Sequence, residues 1–406
     1  MMCLVLITRQ VLTYHHSRFN AVAECVGQLE VISLANEAKF AALLSLGNDR
    51  RYGLHRLYPD LSAYRVAAAS GDVARCVAAV LDELKPDAVA IAGWASPESH
   101  AALIWAHRNR RGVVLMSDSQ AHDTRRIPLR DWIKGRIVRL CDAGLAAGRT
   151  HRDYLVQLGL PAERIRLGYD VVDNAHFAEG SAAARRSEQE CRARLGLPEN
   201  YIVASARFIP KKNLKGLLNA YARARQGLVS APDLLIAGDG EQRPVLEAAV
   251  HNLGLSGHVH LPGFFGYEDM PAIYGLSQGF VHVPLREQWG LVINEAAACG
   301  QPMILSKACG AARELLQEGR NGWSVEASNG NELAAAVRAM MSISIDQNAE
   351  MGAISRSIVA EWGPERFARE LAQAASLAEA SKKGPISCVD RLILRYLSRK
   401  VIETVA

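Results

Sequence analysis

The chain has 406 residues, of which 49% are hydrophobic and 22% charged, with a formal net charge of +5. This balance is normal for a globular protein, and the length indicates two or three domains. The sequence argues against a bilayer-spanning helix, since no apolar run reaches about 18 residues, and against a signal peptide at 1–7, which lacks a basic flank and a cleavage site. Its eight cysteines form no CxxC pair, which favours reduced thiols over disulfides or a metal cluster.

Apolar runs alternate with stretches of helical spacing from Met1 to about Phe177. The predicted strands are 3–8, 29–33, 88–92, 113–116, 143–146 and 164–167. The predicted helices between them are 71–84, 98–110, 128–140 and 150–158. This alternation predicts a parallel sheet with helices on both faces.

The turn after the first strand carries polar and aromatic side chains. We expect the next helix to begin near Ser17, which leaves Tyr14, His15, His16 and Arg18 at the carboxyl edge of the sheet. His16 and Arg18 are therefore candidates for contacts with an acceptor or a donor phosphate. The alternative is a solvated turn with one histidine packed beneath it.

A second edge loop, 117–123, follows the strand 113–116. Its Asp118 is a candidate to receive the proton of an acceptor hydroxyl, or to hold the acceptor by hydrogen bonds. The alternative is that Asp118 and Ser119 only shape the loop. His122, further along, is another acceptor-side candidate.

The second half opens with a predicted strand, 201–206. Arg207 follows this strand directly, and Lys212 precedes a helix predicted from Leu214. Both cations therefore lie at the edge where ligands bind in open parallel sheets. Lys211 is the neighbour that is easily confused with Lys212.

Another strand is predicted at 234–237 and is followed by Gly238-Asp239-Gly240. The sequence contains no GxGxxG, so it does not support a nicotinamide cofactor. His258 and His260 alternate along a further strand, which favours an edge or core position over a metal site.

The stretch 279–325 predicts a buried strand, a polar loop, a helix over about 290–299 and a second strand. Glu287 lies in the loop, and Glu295 lies inside the helix, about 7–8 Å along its axis at about 1.5 Å per residue. Carboxylates at these two places are suited to accept hydrogen bonds from pairs of hydroxyls.

Between the two carboxylates, the amides of Gly290, Leu291 and Val292 are donors at the positive end of the helix, which suits a phosphate. Together these parts match a nucleotide sugar, which has sugar hydroxyls, a diphosphate and a ribose diol. The spacing alone is weak evidence, because Glu318 and Glu326 are also eight apart and flank a turn where we expect them to be solvated.

The same stretch resembles the signature of retaining glycosyltransferases of family 4, which have the GT-B fold. The residues that carry the resemblance are Pro284, Glu287, Gly290-Leu291-Val292, Glu295 and Ala298-Cys299-Gly300-Gln301-Pro302. The family more often has Gly-Phe where this chain has Gln288-Trp289. The resemblance is tight over 200–326 and loose before 180. It implies an α/β fold of two Rossmann-like domains with a cleft between them.

The resemblance also implies roles for single residues. Glu287 would be the catalytic carboxylate that orients the donor sugar, and Glu295 would hold the ribose. Arg207 and Lys212 would bind the donor diphosphate, together with the helix start at Gly290 and Leu291. No Asp-x-Asp occurs in the sequence, so no metal or other cofactor is expected.

The first half departs from the family in two places. Many relatives have glycines after the first strand, where this chain has Tyr14 to Arg18. Many relatives also place a histidine directly after the strand 113–116, where this chain has Ser117 or Asp118. The second departure leaves open which side chain of this domain takes part in catalysis.

Two stretches carry the basic charge: 121–140 is net +4 and 381–400 is net +5, so the rest of the chain is net −4. In the second stretch, Arg391, Arg395 and Arg399 form one stripe of a predicted helix and apolar residues form another. Such a helix is suited to an anionic membrane surface. The alternative is that each apolar face packs on its own domain. No nucleic-acid recognition module is present.

We therefore predict an acceptor-side domain at 1–177, a nucleotide-sugar-binding domain at 178–352, helices that cross back to the first domain at 353–380 and a basic amphipathic tail at 381–406. The predicted function is retaining transfer of a sugar from a nucleotide diphosphate sugar to a glycan or lipid-linked acceptor, in the cytoplasm or at the inner face of the membrane. The alternatives are a GT-B sugar-nucleotide epimerase, a glycogen-type phosphorylase and a non-catalytic scaffold for polysaccharide assembly.

Overall fold

Parallel strands and helices alternate along the chain, as the hydrophobic pattern predicts. The structure is a computed structural model that describes residues 2–35, 49–124, 126–228, 230–381 and 384–399. The strands are β1 Cys3–Thr8, β2 Gln28–Ser33, β3 Gly53–Arg56, β4 Ala88–Ala92, β5 Gly112–Ser117, β6 Ala143–Ala146, β7 Ile165–Leu167, β8 Tyr201–Ser205, β9 Asp233–Ala237, β10 Val259–Gly263, β11 Phe280–His282, β12 Met303–Ser306 and β13 Gly322–Val325.

The helices lie between these strands and after the last of them. They are α1 Thr13–Cys25, α2 Leu61–Ser70, α3 Asp72–Leu84, α4 Pro97–Asn109, α5 Pro128–Val138, α6 Arg149–Leu158, α7 Asn174–Arg186, α8 Glu188–Leu195, α9 Leu214–Ala224, α10 Arg243–Asn252, α11 Met270–Gly275, α12 Leu291–Ala298, α13 Ala312–Leu315, α14 Gly330–Met341, α15 Ile345–Ala360, α16 Pro364–Glu379 and α17 Cys388–Leu397. No helix in the described ranges has the length and apolarity needed to cross a bilayer.

The chain divides into two compact units, 1–171 with 364–406, and 172–363. The first unit contains a sheet of seven strands in the order β3-β2-β1-β4-β5-β6-β7, and every neighbouring pair is parallel. Its central strands are buried, as expected for a parallel sheet covered on both faces. The second unit contains a six-stranded parallel sheet in the order β10-β9-β8-β11-β12-β13. The predicted α/β class with two parallel sheets is therefore confirmed.

Two segments differ from the sequence analysis. The stretch 175–198, interpreted as a linker with a surface helix, forms α7 and α8. Phe177, fully buried in α7, and Ser181 anchor this helix within the second unit, so that the first unit ends at Val171 and not at the predicted residue 177. The strand β3 and the helix α2 were not predicted.

The C-terminal helices are divided between the units. The helix α15 belongs to the second unit, whereas α16 and α17 belong to the first. The helices that cross back to the first domain, predicted at 353–380, therefore begin at Pro364. The helix α16 packs along α1 and beside β5, and Leu371, Ala374 and Ala375 are fully buried in it. The rest of the predicted tail, 400–406 with Lys382 and Lys383, lies outside the described residues.

Candidate active site

The topology of the second sheet brings two loops to one edge. The strand β8 is the first of this sheet in the chain, β9 is added on one side of it and β11 on the other. The order in which strands are added to the sheet therefore reverses between β8 and β11, which makes this pair a topological switch point. Open α/β sheets bind ligands in the crevice beyond the carboxyl ends of two such strands. Arg207 and Lys212 follow β8, and Glu287 follows β11, so all three lie at this edge.

Glu287 is held by two donors. The ammonium of Lys212 and Nε2 of His282 both hydrogen-bond to Oε2 of Glu287, the latter at 3.0 Å. The Lys212 and Glu287 side chains are 11% and 12% exposed, and that of His282 is 3% exposed. A buried ion pair with a further hydrogen bond is a fixed arrangement, because losing either partner would leave an uncompensated charge.

The electrostatics of this cluster keep Glu287 ionised. Burial alone would raise the pKa of Glu287, but the hydrogen bond from His282 and the ammonium of Lys212 outweigh it and lower the pKa to about 2. Burial lowers the pKa of His282, so the ring is neutral at pH 7. An ionised carboxylate can only accept, so Nε2 of His282 carries the proton that it shares with Glu287.

Hydrogen bonds to backbone carbonyls fix the loop after β8 against the loop after β11. The amide of Leu285 donates to the carbonyl of Lys211 at 2.8 Å. The side chain of Asn213 donates to Val283 O at 3.2 Å and to Ala327 O at 2.9 Å. Asn213 has a positive φ of 55°, a conformation that asparagine tolerates better than most residues. Asn213 thus joins the loop after β8 to the segments that follow β11 and β13.

Trp289 anchors the Glu287 loop from the other side. It is 2% exposed, its Nε1–H donates to Oδ1 of Asn294 at 2.8 Å, and its ring lies 5.4 Å from that of Trp362. The next residue, Gly290, has φ 97° and precedes α12 at Leu291. Within the described chain no side chain caps this helix, so its first turn directs backbone amides toward the edge where Glu287 lies.

Glu295 has a neutral hydrogen-bond donor where Glu287 has a cation. The hydroxyl of Tyr274, itself fully buried, donates to Oε2 of Glu295 at 2.8 Å. Burial raises the pKa of Glu295 to about 7, and the hydrogen bond from Tyr274 offsets only part of this. The two acidic residues of the signature thus differ: Glu287 is ionised throughout the neutral range, whereas Glu295 titrates within it.

Arg207 lies in a loop that is built around a glycine. The amide of Ala206 donates to Ala237 O at 3.0 Å and that of Phe208 to Asp239 O at 2.8 Å. Gly238 has φ 133°, and a Cβ there would lie 2.0 Å from Ala206 O. This close approach presents Arg207, whose side chain is exposed, at the carboxyl edge.

The candidates of the first unit lie at the carboxyl edge of its own sheet. The helix α1 begins at Thr13 and not near Ser17, so His16 lies in its first turns, where it bonds Asp49 at 2.9 Å and Tyr52 at 3.3 Å. Arg18 is 2% exposed and donates from Nε to Val171 O at 2.9 Å, with Asp170 at 3.9 Å. The arginine proposed for acceptor contact is therefore buried and occupied by backbone.

Asp118 and His122 belong to the same loop but differ in their exposure to solvent. Asp118 is half-buried directly after β5. Burial raises the pKa of the Tyr14 phenol to about 12 and also raises that of Tyr169, and the negative charge of the nearby Asp118 adds to both increases. His122 is exposed in a turn. The loop thus presents a carboxylate near two half-buried tyrosines and a histidine in solvent.

Glu318 and Glu326 are solvated, and His258 and His260 lie at a sheet edge, as the sequence predicts. Glu318 and Glu326 are exposed, and their carboxylates accept from Ser324 N and Ser328 Oγ. His258 and His260 both hydrogen-bond Asp233, on the neighbouring strand. His260 lies on β10 and His258 directly precedes it, so both are at the edge of the sheet.

Sequence reasoning missed three residues of the site: His282, Tyr274 and Asn213. His282 carried a signal, since a histidine inside a short buried strand needs a polar partner and Glu287 is five residues away. Tyr274 and Asn213 carried none, because their partners are 21 residues or more away in the chain.

Residues 187–357 match the family described as Glycosyl transferases group 1. Alpha-D-kanosaminyltransferase of Streptomyces kanamyceticus is 31% identical over 218 residues, 53% of this chain and 55% of that protein. O-antigen chain mannosyltransferase B of Escherichia coli is 30% identical over 109 residues, 27% of this chain and 29% of that protein. The chain thus spans about half, or less, of the length of these curated relatives.

A solved structure extends the comparison over the fold. The crystal structure of Anabaena Alr3699/HepE in complex with UDP and glucose superposes with a TM-score of 0.71 over 93% of this chain and all of that one, at 19% identity. At this identity the likeness concerns the fold, which is that of the GT-B glycosyltransferases.

Proposed function

Since this chain belongs to the glycosyl transferases group 1 family through its residues 187–357, we propose that it is a retaining glycosyltransferase that uses a nucleoside diphosphate sugar. One observation carries the proposal: Glu287 is kept ionised by Lys212 and His282 at the ligand-binding edge of the second sheet. An ionised carboxylate that is buried and rigid is suited to orient the hydroxyls of a sugar.

Lys212 has a second task in this proposal. Its ammonium has three N–H donors, and the bond to Glu287 uses one of them, so the others can meet an oxygen of the donor diphosphate. The exposed Arg207 and the first-turn amides at Gly290 and Leu291 add charge and donors at the same edge. As the glycosidic bond breaks, negative charge grows on the leaving diphosphate, and these groups stabilise it.

Glu295 is proposed to hold the ribose of the donor. Its partner Tyr274 leaves one carboxylate oxygen, Oε1, for the ribose hydroxyls. An ionised carboxylate accepts from a diol better than a protonated one, so a bound ribose lowers the raised pKa of Glu295. Nucleotide binding is then coupled to loss of a proton from this residue.

For the acceptor we propose a glycan or a lipid-linked glycan. The name of the O-antigen chain mannosyltransferase relative supports this acceptor class. A role in surface polysaccharide synthesis, in the cytoplasm or at the inner face of a membrane, is part of our proposal. Asp118 remains our proposal for the residue that receives or orients the acceptor hydroxyl, with His16 and His122 as further acceptor-side candidates. Arg18 is better explained as a residue that fixes the end of the first unit, because its guanidinium is buried against Val171.

The proposal is tested by screening UDP- and GDP-sugars for thermal stabilisation of the purified chain, followed by assays of the bound donor with glycan acceptors. We expect one donor class to bind and a product whose anomeric configuration matches that of the donor. Conversion of the donor without an acceptor would instead establish the epimerase. A chain that binds no nucleotide would be a scaffold, and the proposal would be wrong.

A further inference from the structure

Two helices of the first unit carry a large share of the exposed apolar surface. Twelve large hydrophobic side chains are exposed among the described residues, and six of them lie in α5, at the residue before it, or in α17. These six are Ile127, Leu129, Trp132, Val389, Leu392 and Tyr396, with exposures between 38% and 68%. Contiguous exposed apolar surface marks an interaction site more often than scattered single residues do.

The two helices are joined by one arginine. Nε of Arg136, on α5, donates to Oδ1 of Asp390, on α17, at 2.6 Å, and Nη2 of the same guanidinium reaches Oγ of Ser387. The guanidinium carbon also lies 5.1 Å from the centre of the Trp132 ring. Trp132 and the start of α17 are therefore neighbours, and Val389 and Leu392 flank the residue that Arg136 holds.

The inward side of α17 and the residues before it already pack against the core of the first unit. Leu394 is fully buried and Ile386 is 8% exposed, both in the core of the first unit. Val389, Leu392 and Tyr396 follow one another at spacings of three and four, so they share the opposite face of the helix. Packing on its own domain, the alternative considered from the sequence, thus accounts for one face of α17 and leaves the other apolar face exposed.

The charge around this surface has one sign. Asp131 pairs with Arg126 and Asp390 with Arg136, which occupies both acidic residues of the two helices. Arg130, Arg391 and Arg395 are exposed and have no ion pair within the described ranges. An apolar strip with arginines beside it and aromatic rings at its border is the pattern of a helix that lies in the headgroup region of an anionic bilayer.

We propose that α5 and α17 together form one membrane-docking surface that binds anionic lipid headgroups. The inference gives the membrane contact of the proposed function a definite location, and it does not depend on sugar transfer. Leu129, Trp132, Leu392 and Tyr396 enter the interface between headgroups and acyl chains, while Arg130, Arg391 and Arg395 contact lipid phosphates. Nucleic acid, or a second copy of the chain, is not favoured, because neither explains apolar and cationic residues arranged on two joined helices.

Co-sedimentation of the full chain with vesicles tests the proposal. We expect binding to phosphatidylcholine vesicles that contain phosphatidylglycerol, weaker binding to phosphatidylcholine alone, and loss of the difference at about 1 M salt, where screening is strong. Leu392→Asp and Leu129→Asp should each lower the partition coefficient about tenfold. The matched control is Val66→Asp, since Val66 is 70% exposed in the same unit but lies outside this surface.

A second measurement locates the contact. Brominated lipids should quench tryptophan fluorescence of the wild type, and Trp132→Phe should remove most of this quenching while leaving binding in place. Nucleotide binding by the same variants should be unchanged, which separates failure of this inference from failure of the proposed activity. A wild type that does not sediment with anionic vesicles would overturn the inference, as would equal binding by Leu392→Asp and Val66→Asp. Loss of binding in Leu392→Asp alone, with Leu129→Asp unaffected, would overturn the joint surface.

Discussion

His282 donates from Nε2 to Oε2 of Glu287 at 3.0 Å, from inside the strand that leads to the Glu287 loop. The same oxygen accepts from Lys212, so a neutral donor and a cation converge on one atom. Because His282 lies on β11 and Lys212 lies in the loop that follows β8, the position of Glu287 is set by two neighbouring strands of the second sheet and not by its own loop alone. This relationship makes the Glu287 carboxylate sensitive to a buried histidine that the sequence analysis did not identify.

Replacing His282 by alanine should destabilise the protein at neutral pH. The lowered pKa of Glu287 means that this residue contributes stability above its unfolded value of about 4.5, and that the contribution is lost as pH falls through about 2. Losing a hydrogen bond to a charged group costs about 1.5–3 kcal/mol, and the cavity adds to this. Chemical denaturation at pH 7 and at acidic pH measures the effect, which should shrink as the solution becomes more acidic.

His282→Gln is the matched control for that variant. Its side-chain amide keeps an N–H donor, so we expect it to recover part of the lost stability and of the transferase rate. If the alanine and glutamine variants are equally destabilised at every pH, packing and not the bond to Glu287 is the role of His282.

Replacing Glu287 by glutamine should reduce sugar transfer by about 100-fold or more, the range seen when one preorganised group is removed from a catalytic site. The amide keeps the size of the side chain but leaves Lys212 without a carboxylate partner. Initial rates at saturating donor, once the donor is known, measure the loss. Glu318→Gln is the control, because Glu318 is exposed and bonds only the nearby backbone amide of Ser324 among its described partners. Equal rates in the two variants would show that Glu287 is not catalytic.

Glu295 should make nucleotide affinity depend on pH around neutrality. With its pKa raised to about 7, this residue is half protonated near pH 7, and in our proposal its ionised form binds the ribose better. The affinity of the wild type for the donor nucleotide should therefore rise as pH passes through about 7. Isothermal titration on both sides of this pH measures it, and Glu295→Gln should bind more weakly with a flat profile. A wild type with a flat profile would contradict the ribose contact.

The same raised pKa predicts a stability effect of the opposite sign to that of Glu287. The folded state binds more protons than the unfolded state between pH 4.5 and about 7, so ionised Glu295 lowers stability as pH rises through that window. Glu295→Gln should be the more stable protein above pH 7, by about 3 kcal/mol at most, and the two should converge below pH 4.5. A melting temperature that is lower for Glu295→Gln at every pH would contradict this.

The alternation of parallel strands with helices, and the placement of Arg207, Lys212 and Glu287 after buried strands, could be predicted from the sequence, because buried parallel strands are continuous apolar runs and ligand-binding loops follow them. The start of α1 could not. That helix has Leu12 at its N-cap, and the amide of Leu12 donates to Nδ1 of His15 at 3.0 Å, so a histidine replaces the usual capping side chains.

Other features escaped prediction because they depend on tertiary contacts. The strand β3 alternates poorly and lies at the edge of its sheet, where the packing demand is least. Arg18 was predicted to contact a ligand because charged residues near sheet edges are usually solvated, but the carbonyl of Val171, where the first segment of the first unit ends, accepts a buried hydrogen bond from it. Its ring neighbours Tyr14 and Phe367 come from α1 and α16, which are separated by most of the chain.

Gly238 should be intolerant of alanine in a way that weakens donor binding. At φ 133° an L side chain is strained, and the new Cβ would lie 2.0 Å from the carbonyl oxygen of Ala206, a backbone atom that cannot rotate away. The loops after β8 and β9 must then separate, which moves Arg207 away from the edge where we propose that it binds the donor diphosphate. We expect a loss of stability of about 2 kcal/mol or more and nucleotide affinity at least about tenfold lower.

The control for Gly238→Ala is Gly254→Ala. Gly254 also has a positive φ, 66°, but a Cβ there would meet nothing within 4 Å, so only the backbone strain of about 1 kcal/mol remains. Thermal melting and nucleotide titration of both variants separate strain from displacement of the loop. Since both substitutions cost stability, the decisive readout is affinity: it should fall in Gly238→Ala and stay at the wild-type value in Gly254→Ala. Equal affinities would mean that the approach of Gly238 to Ala206 does not position Arg207 for the donor.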